Sequence, residues 1–189
     1  MKVKYEQRLN QKLELISEKT LVVGIDIAKH VQCARTVDYR GVEIDKAIRF
    51  TNDKPGFEAI VAAIRERCKQ KGCDKAVIGM EPPGHYWNPL ANYLLKQKEL
   101  IVVMVNPYAM KMSKELDDNS PTKSDKKDSL TIARLVRDGR YLEVYLPHDM
   151  YADLRVLTTS RQSLNKRGNA LKNTITAVLD GYFPEFNRF

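Results

Sequence analysis

The chain has 189 residues, 43% of them hydrophobic, and its 32 Lys and Arg against 24 Asp and Glu give a formal charge of +8. That length holds one well-buried α/β domain with an appendage, and the basic excess favours polyanionic partners. No apolar run approaches the roughly 18 residues of a membrane-spanning helix, and the opening MKVKYEQRLNQKLELISEKT is amphipathic and charged rather than a secretory signal, so a cytoplasmic protein is expected.

Residues 1–20 read as an N-terminal amphipathic segment. Residues 21–50 divide into three strand-like pieces, LVVGIDIA, VQCARTVDY and VEIDKAIRF, with Tyr39, Arg40 and Gly41 turning the second into the third. Such a start is antiparallel. Asn52 or Asp53 then caps a helix with Pro55 in its first turn, and Phe57, Ile60, Val61 and Ile64 keep helical spacing on the way to Gly72. AVIGM reads as a buried strand, HYWNPLANYLLKQKE as a helix with Tyr86 and Trp87 in its first turn, and LIVVMVNP as a further buried strand ended by Pro107. This pattern predicts parallel strands joined by helical crossovers. Residues 108–124 are polar and contain Pro121, which predicts a short helix and an exposed loop with Asp117 and Asp118 solvated.

The last segment changes character. Between Ala152 and Asp180, Leu157, Leu164, Leu171 and Val178 recur every seven residues, while Arg161 and Gly168 occupy the alternate seam positions. The spacing predicts a coiled-coil or bundle seam, or an amphipathic helix packed on its own domain. Cys33, Cys68 and Cys73 are odd in number and lack a CxxC pair, and His30, His85 and His148 have no ligand spacing. Reduced thiols and surface or loop histidines follow, rather than a disulfide framework or a zinc site.

Four carboxylates carry the chemistry. Asp26 interrupts an apolar strand, where an unpaired charge costs several kcal/mol, roughly, unless something balances it. Glu81 closes the next buried strand, where Pro82 and Pro83 stop it, so it belongs at a sheet end. Asp125 and Asp128 lie three apart in KSDKKDSLTIARLV, on the stripe continued by Ile132 and Leu135, and so face the sheet on which that helix packs. Four acids at one sheet edge repel one another unless divalent cations sit among them, and Mg²⁺ prefers such oxygen ligands. Lys29, Lys123, Lys126 and Lys127 flank the acids, and Arg155, Arg161 and Arg167 make the long helix basic. These side chains are candidates for nucleic-acid phosphates, and equally for ordinary solvated charges.

Three antiparallel strands, the first bearing an acid, followed by β-α-β units make the ribonuclease-H-like arrangement. In the order GIDIAK, MEPPGHYWNPL, VNPYAMK, KSDKKDSLTIARLVRDG and LRVLTTSRQSLNKRGNALKNTITAVLDGYFPEF, the chain resembles the amino-terminal half of the DEDD-type insertion-sequence transposases. That family includes proteins similar to Piv-type DNA invertases and bridge-RNA-guided recombinases. The resemblance implies a RuvC-like catalytic domain over residues 21–147 with Asp26, Glu81, Asp125 and Asp128 as its acids. It also implies two Mg²⁺ or Mn²⁺ ions, DNA as substrate, a structured guide RNA in members that use one, and a homo-oligomer. Residues 148–189 correspond to a long helix leading to a carboxy-terminal domain with a nucleophilic serine, so this chain reads as part of an enzyme. Pro83 departs from the family, which often carries a small hydroxyl residue there, and stiffens the loop after Glu81.

Three alternatives stand beside this reading. The first is a stand-alone RuvC-like nuclease that attacks with water, and the second a non-catalytic nucleic-acid-binding or dimerisation module with structural acids. The third is an actin-like or sugar-kinase ATPase, whose first phosphate loop GIDIAK resembles; those proteins carry Gly-Thr or a similar pair where Ala28 and Lys29 stand, and need a duplicated domain.

Overall fold

The computed structural model describes the chain apart from residues 1, 83, 118–124, 145, 147–149, 184 and 186–189, with side chains also left out at 2–6, 8, 114–117, 125 and 126. The chain divides into two compact units between residues 144 and 145. The first is built on a six-stranded sheet of β1 (Thr20–Asp26), β2 (Val31–Val37), β3 (Ile48–Thr51), β4 (Lys75–Met80), β5 (Leu100–Met104) and β6 (Leu142–Glu143). Its strand order is β3-β2-β1-β4-β5-β6. The β1–β2 and β2–β3 pairs are antiparallel, β4 runs parallel to β1 and β5 to β4, and β6 closes the edge antiparallel to β5. This is the ribonuclease-H-like mixed sheet with flanking helices that the order of elements predicts.

Alternation along the strands builds two apolar layers. On one face, Val22, Val77 and Val103 pack with Ile132, Leu135 and Val136 of α5 (Asp125–Arg137) and Met110 of α4 (Pro107–Asp117), and Leu15 and Ile16, just after α1 (Lys2–Glu14), close the layer. Leu21, Val23 and Ile25 alternate with these positions and are fully buried. α2 (Lys54–Lys71) buries Phe57, Ile60, Val61 and Ile64, and α3 (Asn88–Leu94) buries Leu90 and Leu94. The α2 signals operate as predicted: the Asp53 side chain accepts from the Gly56 N–H, and Gly72 ends the helix in the left-handed region at φ 66°.

Two elements are shorter than their sequence patterns. Of the third piece only Ile48–Phe50 is strand, within β3, with an isolated bridge between Val37 and Glu43 upstream. There the Arg67 guanidinium of α2 donates to the Lys46 carbonyl and the Asp45 carboxylate, within the predicted strand. α3 begins only at Asn88, with Trp87 at its N-cap, so Tyr86 and Trp87 precede the helix rather than form its first turn. β6, a two-residue strand, has no signal in the sequence.

The second unit is α6 (Met150–Tyr182), 33 residues with none buried. Its seam residues Leu157, Leu164 and Leu171 are 66%, 65% and 64% exposed. No described helix is long and apolar enough to cross a membrane.

Candidate carboxylate site

Two glycines bring the site together. Gly24 in β1 lies opposite Gly79 in β4. A Cβ at Gly24 would stand 2.1 Å from the Ser129 carbonyl oxygen and 2.4 Å from the Ala133 nitrogen, and one at Gly79 would stand 2.2 Å from Val136 Cγ2. α5 therefore rests on the sheet with its main chain against β1, an approach only glycine permits. Gly24 and Asp26 point to the same face, as do Gly79 and the position of Glu81, so both carboxylates emerge on the side that α5 covers. Asp26 ends β1 and Glu81 follows β4 by one residue, one step beyond the paired Ile25 and Met80. Both are half-buried. The predicted position of Glu81 at a sheet end is met, and Asp26 also sits at a strand end rather than within one.

Asp128 lies on α5 next to Ser129, and only 8% of it is exposed. The Ser129 hydroxyl reaches Cys33 Sγ at 3.7 Å, and Cys33 is paired across the sheet with Asp26. This contact links the residue after Asp128 to the strand paired with β1. Ile132 and Leu135 continue the same helix stripe into the core, as their spacing predicts.

Asp26, Glu81 and Asp128 are each engaged with neighbouring groups. Among the described residues no three Asp, Glu, His or Cys side chains are gathered closely enough to hold a metal ion. The donor set is nonetheless all carboxylate, the hard oxygen chemistry that suits Mg²⁺ or Mn²⁺. The Asp125 carboxylate lies outside the described side chains, as do Lys126, Asp117, Asp118, Lys123 and Pro83, together with Pro121 and His148. Lys29 and Lys127 are exposed, and Arg155, Arg161 and Arg167 lie exposed on α6. Cys33, Cys68 and Cys73 are free thiols.

The sequence reading missed Gly24 and Gly79 as parts of the site. Their signal was present, because a lone glycine inside a strand pattern marks a close backbone approach. It also missed Gln32, a fully buried polar residue in β2. Its side-chain amide accepts from the Ala28 N–H at 2.7 Å and donates to the Ala28 carbonyl at 2.8 Å, tying down the turn that follows Asp26.

Residues 23–184 match the model of the DEDD_Tnp_IS110 transposases, and the chain belongs to this transposase family. Among solved structures it is similar to T. thermophilus RuvC in complex with Holliday junction substrate, at 15% identity and a TM-score of 0.47 over 66% of this chain and 99% of that one. A second is ethanolamine utilization protein EutJ from Carboxydothermus hydrogenoformans, at 14% identity and a TM-score of 0.33 over 60% of this chain and 50% of that one. No curated protein matches the chain.

Proposed function

We propose that residues 21–147 are the catalytic domain of a DNA transposase or recombinase, in which Asp26, Glu81, Asp125 and Asp128 hold two Mg²⁺ or Mn²⁺ ions for phosphoryl transfer on a DNA strand. The observation that carries this reading is that Asp26 and Glu81 stand at the adjacent carboxyl ends of β1 and β4, on which α5, the helix that carries Asp128, packs through Gly24 and Gly79, in a chain of a transposase family. When bound, such ions stabilise the charge that develops on the phosphodiester. The carboxylates orient the phosphodiester with respect to the sheet edge, and the exposed Lys29 and Lys127, with Lys123 and Lys126, hold the flanking phosphates. The half-buried backbone ends of β1 and β4 supply a rigid platform for that orientation.

The helix α6 (Met150–Tyr182) is a linking helix whose apolar seam takes a second copy, and whose Arg155, Arg161 and Arg167 extend the basic surface. The attacking group, as the resemblance implies, is a serine of a following domain, and a structured guide RNA joins the complex in members that use one. Calorimetric titration of Mg²⁺ and Mn²⁺ into the chain tests the assignment. Asp26→Asn and Asp128→Asn should each abolish binding, and unchanged binding in both removes the site.

A further inference from the structure

Asp26 is the last residue of β1, paired with Cys33, and Glu81 follows β4 by one residue, but the segments that continue from the two acids leave the sheet and are not paired with each other in it. Asn52, one residue past β3, touches both. Its main-chain N–H donates to the His30 carbonyl at 2.9 Å, extending the β2–β3 ladder into the turn after β1. Its side-chain Nδ2 donates to the Lys29 carbonyl and to the Tyr86 carbonyl, at 3.4 Å each. Facing two carbonyl oxygens, the amide must present its nitrogen to both, since its oxygen would repel them. Oδ1 is buried on the far side, with no hydrogen-bond partner among the described residues. The turn that Asn52 grips is itself fixed by Gln32, whose amide closes on both backbone groups of Ala28. A chain of contacts therefore runs from Gln32 through Ala28, Lys29 and His30 to Asn52, and across to Tyr86 in the segment after Glu81.

We propose that Asn52 is a positioning residue for the carboxylate site: its main-chain N–H and side-chain amide lock the segments following Asp26 and Glu81 to each other, so that both acids meet a divalent ion in a preset geometry. This rests on the metal reading given above. Asn52 touches no reacting atom; it acts by limiting how far the two acid-bearing segments move apart. Groups that orient metal ligands from behind typically change affinity by about 10- to 100-fold when removed, and an indirect tie of two long bonds belongs at the lower end.

The test is calorimetric titration of Mn²⁺ into the 189-residue chain and its Asn52→Ala, Asn52→Leu and Asp26→Asn variants, each well below its melting temperature. Asn52→Leu keeps a branched side chain and removes its donors, while the main-chain N–H to His30 remains in both variants. A core truncation in α2, Ile60→Val, lowers stability without touching either segment and serves as the structural comparison. Asp26→Asn should abolish binding, both Asn52 variants should weaken it by about tenfold, and Ile60→Val should melt earlier with its affinity intact. Wild-type affinity in both Asn52 variants, with binding lost in Asp26→Asn, overturns the clamp and leaves the carboxylate reading standing. Equal weakening in Ile60→Val also overturns the clamp, because the effect would then follow stability. Unchanged binding in Asp26→Asn brings down both readings together.

Discussion

Replacing Gly24 by alanine presses a methyl carbon into the main chain of α5. The new Cβ would meet the Ser129 carbonyl oxygen at 2.1 Å and the Ala133 nitrogen at 2.4 Å. Main-chain atoms inside a helix cannot rotate aside, so α5 must withdraw by roughly 1.3 Å to restore van der Waals contact. Overpacking of this kind costs about 1–3 kcal/mol, and with no flexible partner Gly24→Ala belongs at the top of that range. The reduced freedom of the unfolded alanine chain offsets up to about 1 kcal/mol, leaving a net loss of about 2 kcal/mol or a fall of roughly 4–8 °C in Tm. Two other glycines calibrate the result. Gly79→Ala meets the Val136 side chain, which can shift, and should cost less, while Gly72→Ala meets open space and carries only the strain of φ 66°, about 1 kcal/mol. Because sites of this kind tolerate displacements of only about 0.5 Å, Gly24→Ala should also weaken Mn²⁺ binding, which Gly72→Ala should leave unchanged. Thermal denaturation and calorimetry of the three variants measure both effects. If Gly24→Ala proves no more damaging than Gly72→Ala and binds Mn²⁺ normally, α5 does not rest on β1 through this glycine, and the account of how Asp128 is placed is wrong.

Further expectations follow from the rest of the molecule. Without metal, Asp26→Asn and Asp128→Asn should leave stability unchanged or raise it by relieving like-charge repulsion, and a large loss in Tm would instead assign these acids a structural role. Truncation after Leu146 should reduce self-association by removing the seam of Leu157, Leu164 and Leu171, and one monomeric mass by light scattering with or without residues 147–189 would refute this. The chain should bind DNA with log affinity falling roughly linearly with log salt, yet scarcely cut it with Mg²⁺, because the proposed nucleophile is a serine of a following domain; efficient Asp26-dependent cutting of a four-way junction would favour water as the nucleophile. Burial, reinforced by Cys73 and Glu99, pushes the Cys68 thiol from its ordinary 9.0 up to about 11. The unfolded chain therefore loses this proton first, and stability should fall as pH rises from about 9 to about 11, a decline that Cys68→Ala should reduce in pH-dependent urea melts.

The elements that depend on neighbours in sequence were readable without a structure. The Asp53 cap, the proline in the first turn of α2, the stop at Gly72 and the buried runs of β1, β4 and β5 are set by local backbone chemistry and by short apolar periods. The same holds for Asp128 facing the sheet, since helical spacing ties it to Ile132 and Leu135. What required the tertiary structure was whatever joins segments far apart in the chain. β6 forms only because β5 offers an edge to Leu142 and Glu143, and α3 starts late because the preceding segment is engaged by Asn52 from 34 residues away. The close seat of α5 on Gly24 and Gly79, which brings the helix bearing Asp128 onto the strands that lead to Asp26 and Glu81, depends on three elements approaching at once. A single glycine in a strand signals that something comes near; only the packed sheet decides that it is the main chain of α5, because close contact is a property of pairs of surfaces and not of either sequence segment.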